Sequence, residues 1–236
     1  MQARMAPDQT FRVHPSLKAF LIPPPDFLAR HFAHGNASRD SNRPPAPTFL
    51  ATGAIVFDRQ PGSAQAGSPS PKVLLIQRAA HDSTPLTWES PGGGCDDDDP
   101  SVLYSCVREL REEAGLEAVS IGPLIRCPAS NDTTAESGPG EGEAEWGEKM
   151  GGQFFLTRKG KPVCKFYFIV ETSQTSDVVV DPNEHAAYIW ATEEEVKEGT
   201  TKGSEGENGM QLTFTSTEQR RVLLEAFKAL TNKHSG

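Results

Sequence analysis

Apolar runs separated by polar, turn-rich segments predict a β-sheet in the middle of the chain. The runs are rich in β-branched and aromatic residues, and they cover residues 50–58, 73–78, 119–127, 152–157, 165–172 and 186–191. The stretch at residues 166–170 is apolar at every position. A strand of this kind is expected in the centre of a sheet, where both faces are covered. We therefore predict a mixed sheet with a layer of structure on each side.

A helix is predicted over about residues 100–114. Asp99 is suited to cap its N-terminus, Pro100 to occupy its first position, where no backbone N–H is needed, and Gly115 to end it. At about 100° per residue, one stripe of this helix is apolar and is predicted to face the core: Leu103, Val107, Leu110 and Ala114.

A second helix is predicted near the C-terminus. It begins at Ser216 or Thr217, and the residues at helical spacing that should be buried against the domain are Val222, Leu223, Ala226, Phe227 and Leu230. Upstream of it, Thr192 and Glu195 are three residues apart, which is the spacing of a capping box. They predict a brief helix after the last strand.

The ends and interruptions of this pattern predict the domain organisation. Residues 1–47 combine an apolar patch, a row of three prolines and a short helical pattern, and we expect a partly ordered extension and linker there. The compact domain is expected to cover residues 48–236. Residues 131–151 are rich in Gly and Glu and cannot bury a core of their own, so we predict an exposed, mobile insertion, with a second one at residues 199–209.

Charge and composition narrow the classes of function. The 236 residues include 23 Lys and Arg against 32 Asp and Glu, a net charge of −9, which disfavours binding to duplex nucleic acid by charge alone. No apolar stretch approaches the roughly 20 residues needed to cross a bilayer, so we expect no membrane partner. The first 15 residues lack the apolar core of a secretory signal, and the four cysteines form no CxxC pair. These features favour a cytosolic or nuclear protein with reduced thiols.

The first predicted helix carries three glutamates on one face. Glu109 lies three residues before Glu112 and four before Glu113, spacings at which side chains on a helix are neighbours. Their repulsion destabilises a helix by roughly 0.2–0.5 kcal/mol per pair, and a divalent cation that prefers oxygen ligands, Mg²⁺ or Mn²⁺, removes it. Arg108 is one turn from Glu112 and can orient a carboxylate by a charge-assisted bond. Taken alone, a helix in which Arg108 and Arg111 are interspersed with glutamates is more often a solvated face with ion pairs.

The spacing of these residues resembles the Nudix box. That motif runs Gly, five residues, Glu, seven residues, Arg-Glu-aliphatic-any-Glu-Glu-any-Gly-aliphatic. Eight of its nine specified positions agree with this sequence: Gly94, Arg108, Glu109, Leu110, Glu112, Glu113, Gly115 and Leu116. Residues 88–93, Trp-Glu-Ser-Pro-Gly-Gly, look like the family's usual lead-in to the box. The ninth position, Glu in the family, is Pro100 here, and Asp99 or Asp98 is placed to stand in for it.

The resemblance to Nudix hydrolases implies an α/β fold, an α/β/α sandwich with a mixed β-sheet. It also implies hydrolysis of a diphosphate linkage in a nucleoside diphosphate linked to another moiety, with Mg²⁺ or Mn²⁺ as cofactor and a small nucleotide as substrate. By this resemblance the metal ligands are Gly93, through its backbone carbonyl, and Glu109, Glu112 and Glu113, among which a catalytic base is also found. Arg108 is the residue that orients them.

The general base can also lie outside the box. Glu184 is the first candidate, because it stands in Asn183-Glu184-His185 before a strand that ends at Trp190, and similar Glu-His…Trp patterns occur in several Nudix subfamilies. The alternative is that Glu184 is a solvated turn residue. Other candidates for the base lie on the acidic insertion: Glu136, Glu141, Glu143 and Glu145.

Substrate contacts are predicted from single residues. Arg78, at the end of the second strand, is a candidate phosphate ligand, and a surface ion pair is the alternative. Trp88, Phe166 and Tyr167 are candidates for stacking on a base, although aromatic residues in strands more often belong to the core. Pro100 keeps a different class of function open, namely a catalytically weak or inactive Nudix-fold module that binds nucleotide for regulation.

Overall fold

The computed structural model describes residues 11–32, 46–58, 70–127, 150–175, 177–202 and 209–232. Its strands are β1 (Arg12–Val13), β2 (Phe49–Ile55), β3 (Lys72–Arg78), β4 (Trp88–Glu89), β5 (Ala118–Ile125), β6 (Gln153–Leu156), β7 (Pro162–Thr172) and β8 (His185–Thr192). Its helices are a 3-10 helix (Pro15–Phe20), α1 (Pro24–Phe32), α2 (Val102–Ala114), α3 (Glu193–Glu198) and α4 (Thr217–Asn232). Each predicted strand and both predicted long helices lie within a few residues of their expected bounds.

Two sheets form the framework of the fold. In the larger sheet the strand order is β1-β5-β7-β2, and β6 also pairs with β7. β2 runs parallel to β7, whereas β5 and β6 run antiparallel to it, so the sheet is mixed as predicted. The smaller sheet is antiparallel, with β3 between β4 and β8. Residues 163–170 of β7 are all buried, which confirms the central position that their apolar sequence predicts.

The larger sheet separates two hydrophobic cores. On one face, the 3-10 helix, α1 and α2 pack against the sheet through buried residues such as Leu103 and Phe166. On the other face, the smaller sheet and α4 pack against it through residues such as Leu75 and Phe227. Helices therefore lie on both outer sides of the sheets, which confirms the α/β/α arrangement.

The N-terminal extension is part of the first core. Phe27 of α1 is fully buried, and its ring lies 5.0 Å from that of Phe20 and 5.5 Å from that of Phe166 in β7. The backbone carbonyl of Ile22 accepts a hydrogen bond from the N–H of Val102 at the start of α2 (3.1 Å). The described part of the extension is thus packed more closely than the sequence predicts, because its aromatic side chains find apolar surface on the sheet.

The two ends of α2 are fixed by capping residues. Ser101 is the N-cap, and its side-chain oxygen accepts a hydrogen bond from the N–H of Tyr104 (3.1 Å). Gly115 ends the helix in the left-handed conformation, with φ of 67°, as predicted. The prediction that Asp99 caps this helix is wrong, because its carboxylate is turned towards Arg108 instead.

The later elements agree with the sequence pattern. Thr192 and Glu195 form the predicted capping box of α3, and all five predicted core residues of α4 are buried. The insertion expected at residues 131–151 lies outside the described residues except for its last two, and so do residues 203–208 of the second insertion. None of the helices that the structure describes is long and apolar enough to cross a membrane.

Candidate active site

A glycine-rich loop runs beside the outer edge of β2. The N–H of Thr52 donates to the carbonyl of Gly93 (2.9 Å), and Ala51 pairs with Gly94. Gly92 has a φ of 146°, and a Cβ atom on it would lie 2.2 Å from the carbonyl oxygen of Thr52. Only glycine permits so close an approach, so this residue allows the loop to lie against the strand.

The same loop holds two carboxylates of α2. The N–H of Gly92 donates to Oε2 of Glu113 (2.6 Å). A Cβ atom on Gly93 would lie 2.6 Å from Oε2 of Glu109, so this carboxylate packs directly against the loop backbone. The carbonyl of Gly93 accepts one bond from Thr52 and has a second lone pair for another partner. The loop and the C-terminal half of α2 therefore act as one unit.

Arg108 connects the carboxylates of the box to this loop. Its guanidinium donates to both carboxylate oxygens of Asp99 (3.0 and 3.2 Å) and to the carbonyl of Gly94 (3.0 Å). It also donates to Glu109 (2.8 Å) and Glu112 (3.0 Å). Burial lowers the pKa of Arg108, but the bonds with Asp99 and Glu109 raise it by more, so the guanidinium stays charged.

Glu113 lies near two neighbouring residues, one just before β8 and one at its start. Among the residues that the structure describes, Glu113, Glu184 and His185 form a group whose potential metal-ligand atoms all lie within 4.8 Å of one another. Nε2 of His185 lies 3.6 Å from Oε1 of Glu113. Glu113 and His185 are buried, whereas Glu184 is exposed. The fold thus brings Glu184 to the box, and its role as a base stays a prediction.

Burial changes the proton affinities of this site. It raises the pKa of Glu113, the N–H of Gly92 acts against this rise, and the negative charge of Glu109 adds to it. Burial also raises the pKa of Glu109, and Arg108 offsets only part of the effect. Burial lowers the pKa of His185, so its imidazole is neutral near pH 7. The positive charges near these two carboxylates therefore compensate only part of the effect of burial.

The donor set fits a divalent cation that prefers oxygen ligands. Glu113 and Glu184 offer carboxylate oxygens within 4.8 Å of each other, and a buried carboxylate is costly unless a cation pairs with it. Nδ1 of His185 is buried and has no hydrogen-bond partner among the described residues. A divalent cation near these residues would relieve the buried negative charge.

Arg78 is engaged by carboxylates. Its guanidinium pairs with Glu89 and with Asp82, the latter at 2.6 Å. The ion pair that the sequence left as an alternative is therefore present in the structure. The role of Arg78 as a phosphate ligand stays a prediction, and it requires the guanidinium to exchange one of these partners for the substrate.

The three aromatic residues predicted to stack on a base are core residues. Trp88, Phe166 and Tyr167 are all fully or almost fully buried. This burial agrees with the alternative that they belong to the core, and stacking on a base stays a prediction that requires these rings to be uncovered. The burial of Phe166 and Tyr167 agrees with the central position that the apolar sequence of β7 predicts, whereas Trp88 is covered by the second core, which local sequence does not reveal.

Three side chains near the loop were not predicted from the sequence. His185 has no sequence signal beyond its position next to Glu184. Lys165 is a nearly buried lysine of β7, and its one sequence signal is a charge inside an otherwise apolar run. Phe49 lies with its ring against Gly94, since a Cβ atom on that glycine would be 2.8 Å from two ring atoms. No local pattern marks Phe49, because its neighbour is 45 residues away in the chain.

Comparison with known proteins identifies similar chains. A family model described as the NUDIX domain matches residues 47–208. No curated protein matches the chain. Among solved structures, a MutT protein from Methanosarcina mazei Go1 has 18% identity, coverage of 80% of this chain and 97% of that chain, and a TM-score of 0.48. A C. elegans Ap4A hydrolase in a binary complex has 17% identity, coverage of 78% of this chain and 99% of that chain, and a TM-score of 0.49. An ADP-ribose pyrophosphatase from Streptococcus suis has 19% identity, coverage of 75% of this chain and 90% of that chain, and a TM-score of 0.40.

Proposed function

The chain belongs to the Nudix family of pyrophosphohydrolases, and on this premise we propose that it uses a divalent cation to hydrolyse the diphosphate linkage of a nucleoside diphosphate joined to another moiety. The proposed cation is Mg²⁺, with Mn²⁺ as the alternative. The observation that carries the proposal is the contact of the glycine loop with Glu109 and Glu113. Glu113, which is buried, and Glu109, which is partly buried, lie there against a backbone without side chains, which a phosphate can approach closely.

Positive charge is needed at this site before a phosphate can bind. The protein has a net charge of −9, and an acidic patch repels phosphates. A bound divalent cation neutralises phosphate charge and lowers the pKa of a water molecule. The ligands that we propose for it are the carbonyl of Gly93 and the carboxylates of Glu109, Glu112 and Glu113.

The remaining residues of the site are assigned to orientation and proton transfer. Arg108 bonds to Glu109 and Glu112, so it restricts the directions in which their oxygens point. Glu184 is exposed to water and lies beside Glu113, which supports it as the general base. This assignment makes Arg108 a positioning residue and Glu184 a catalytic one.

An inactive Nudix-fold module that binds nucleotide for regulation is the second candidate. The feature that favours it is Pro100, which stands where the family has Glu. However, Asp99 is the adjacent residue and bonds to Arg108 through both of its carboxylate oxygens. A carboxylate is therefore available at this end of the box, which supports the hydrolase over the inactive module.

A metal-dependent substrate screen tests the proposed activity. The purified protein is incubated with Mg²⁺, Mn²⁺ or EDTA and with ADP-ribose, diadenosine polyphosphates, NADH, deoxynucleoside triphosphates or capped RNA. We expect release of a nucleotide product from at least one compound, detected by chromatography, and no release in EDTA. If no compound is hydrolysed with either cation, the proposed activity is wrong. Nucleotide binding without hydrolysis in the same samples supports the regulatory module instead.

We also propose that the protein acts on a small-molecule substrate in the cytoplasm or the nucleus, with neither duplex nucleic acid nor a membrane as partner. None of its four cysteines forms a disulfide, which is typical of a reducing compartment. The net charge of −9 disfavours association with a nucleic-acid backbone.

A further inference from the structure

Lys165 is a nearly buried cation in the centre of the larger sheet. Lys165 is only 9% exposed. It is the one charged residue between residues 163 and 170 of its strand. Among the described residues its ammonium group has no hydrogen bond and no ion pair, and its one contact of note is the ring of Tyr167, whose centroid lies 5.3 Å from Nζ. A buried charge is costly without a partner, and a cation–π contact compensates only part of that cost. Such a residue indicates that an anionic ligand completes the site.

The strand register places Lys165 near the glycine loop. Lys165 pairs with Ala51 of β2, and Ala51 pairs in turn with Gly94. Because neighbouring strands are about 4.8 Å apart, roughly 10 Å separates the backbone of Lys165 from the loop that contacts Glu109. An anion bound to Lys165 would therefore lie beside the proposed metal ligands.

Two partly exposed aromatic rings lie on the same face of the sheet as Lys165. Val163 of β7 is in register with Phe49 of β2 on one side and with Phe155 of β6 on the other. Residues in register point to the same face, and Val163 is two positions from Lys165 in the strand, so the four side chains share one face. Phe49 is 40% exposed and Phe155 is 38% exposed, whereas Val163 is buried. The result is an apolar floor between two rings, with an ammonium group next to it.

This combination matches the two halves of a nucleotide. An ammonium group binds phosphate through charge-assisted hydrogen bonds, and aromatic rings stack on bases of any sequence. The ring of Phe49 also lies against Gly94, whose carbonyl accepts a hydrogen bond from Arg108, so the apolar surface continues into the box.

We propose that Lys165 binds a phosphate of the substrate and that Phe49 and Phe155 contact its base, so that the site binds nucleoside diphosphates more tightly than pyrophosphate. This inference assigns substrate-binding residues to the proposed enzyme and therefore rests on the proposed function.

Calorimetric titration with pyrophosphate and with ADP, each with Mg²⁺, tests the role of Lys165. Lys165→Met keeps the length of the side chain and removes its charge. We expect it to weaken the binding of both ligands by about 10- to 100-fold, the size of a lost charge-assisted hydrogen bond, and we expect Lys165→Arg to restore part of the affinity. The matched control is Lys161→Met, since Lys161 is an exposed lysine just before β7, and it should leave both affinities unchanged. Chromatography after each titration verifies that the ligand is intact.

The aromatic part of the site is tested separately with Phe155→Ala. Loss of stacking should weaken the binding of ADP by about 5- to 100-fold and leave the binding of pyrophosphate unchanged. Leu156→Ala is the matched control, because Leu156 is the more exposed neighbour and points to the opposite face of β6. Equal weakening of both ligands by Phe155→Ala would contradict the proposed contact with the base.

The thermal midpoint distinguishes a binding role of Lys165 from a structural one. Removal of an unpaired buried charge should leave the Tm of Lys165→Met unchanged or raise it. The inference is overturned if Lys165→Met binds pyrophosphate as tightly as the wild type, or if the wild type binds neither ligand. A lowered Tm with weaker binding that Lys165→Arg does not restore also counts against it. Failure of the proposed activity is a different result, since it is seen as missing product in the substrate screen while binding persists.

Discussion

Asp99 and Arg108 form the ion pair on which the orientation of the box carboxylates depends. Burial raises the pKa of Asp99, but the hydrogen bonds with Arg108, Ser105 and the backbone of Asp96, together with the positive charge of Arg108, lower it by more, so the carboxylate is charged. Because Asp99 holds one edge of the guanidinium, the other N–H groups are directed at Glu109 and Glu112. A change at Asp99 should therefore affect catalysis without any contact between Asp99 and the substrate.

Asp99→Asn is expected to lower kcat by about 10- to 100-fold with little change in KM, the range found when a residue that orients a metal ligand is lost. Loss of the charged partner should also lower the free energy of unfolding by about 1–3 kcal/mol. Steady-state kinetics and urea denaturation measure the two effects. Asp97→Asn is the control, since Asp97 is exposed and should tolerate the change. A kcat equal to that of the wild type in Asp99→Asn would show that this pair does not orient the site.

Glu112→Gln is expected to reduce turnover by at least about 100-fold, because it removes a charged oxygen from the proposed site. Its side chain is 53% exposed, so the fold should be unaffected, with a Tm close to that of the wild type. Product formation on the best substrate and a thermal melt measure both properties. Glu117→Gln, just beyond the end of α2, should retain normal activity. Normal turnover in Glu112→Gln would remove this residue from the mechanism.

The short helix α3 depends on its capping box. Oγ1 of Thr192 accepts from the N–H of Glu195 (3.3 Å), and the carboxylate of Glu195 accepts from the N–H of Thr192 (2.8 Å). The same carboxylate accepts two further bonds, from the hydroxyl of Thr192 (2.9 Å) and from the N–H of Lys202 (2.9 Å). Burial raises the pKa of Glu195, but these hydrogen bonds lower it by more, so its pKa is lowered overall.

Glu195→Ala is expected to lower the free energy of unfolding by about 0.5–2 kcal/mol at pH 7, which is the usual contribution of a cap. Because the pKa of Glu195 is lower in the folded state, its contribution is present above about pH 4.5 and is lost as the pH falls through the folded pKa. The difference between wild type and variant in urea denaturation should therefore shrink in acid. Glu193→Ala, in the same turn but without these bonds, should show a smaller and flatter difference. A difference that stays constant down to pH 3 would contradict this account.

The whole molecule is held together by segments that lie beyond the family match. The match covers residues 47–208, yet α1 packs on the central strand and α4 closes the second core. Ile22 also accepts the hydrogen bond from Val102 at the start of α2, the helix that carries the box. The stability of the site therefore depends on the N-terminal segment, although that segment supplies none of the proposed ligands.

Phe27→Ala is expected to lower the free energy of unfolding by about 3–5 kcal/mol, because it leaves a cavity between α1 and β7. Leu21→Ala, at an exposed position of the same segment, should cost about 0.5 kcal/mol or less. Denaturant unfolding compares the two variants. If both variants cost equally little, the N-terminal segment does not contribute to the core as the structure indicates.

The predictions that succeeded depend on local patterns. The ends of α2 and α3 were recognisable because capping residues act within one turn, although Ser101 rather than Asp99 is the N-cap of α2. The burial of Trp88 could not be recognised in this way, because exposure depends on what covers a strand, and the covering layers come from distant parts of the chain. The positions of Lys165 and Phe49 near the glycine loop could not be predicted from the sequence for the same reason.

The sequence by itself determined the longer strands and helices of this protein and the carboxylates of its box, because helical periodicity places Glu109, Glu112 and Glu113 on one face whatever the surroundings. Only the tertiary structure decided which distant residues join them. Glu184 and His185 reach Glu113 from 71 and 72 positions away in the chain, and strand order and register bring them together. These long-range pairings are set by the burial of whole faces of sheets and helices, and a short stretch of sequence does not encode that burial.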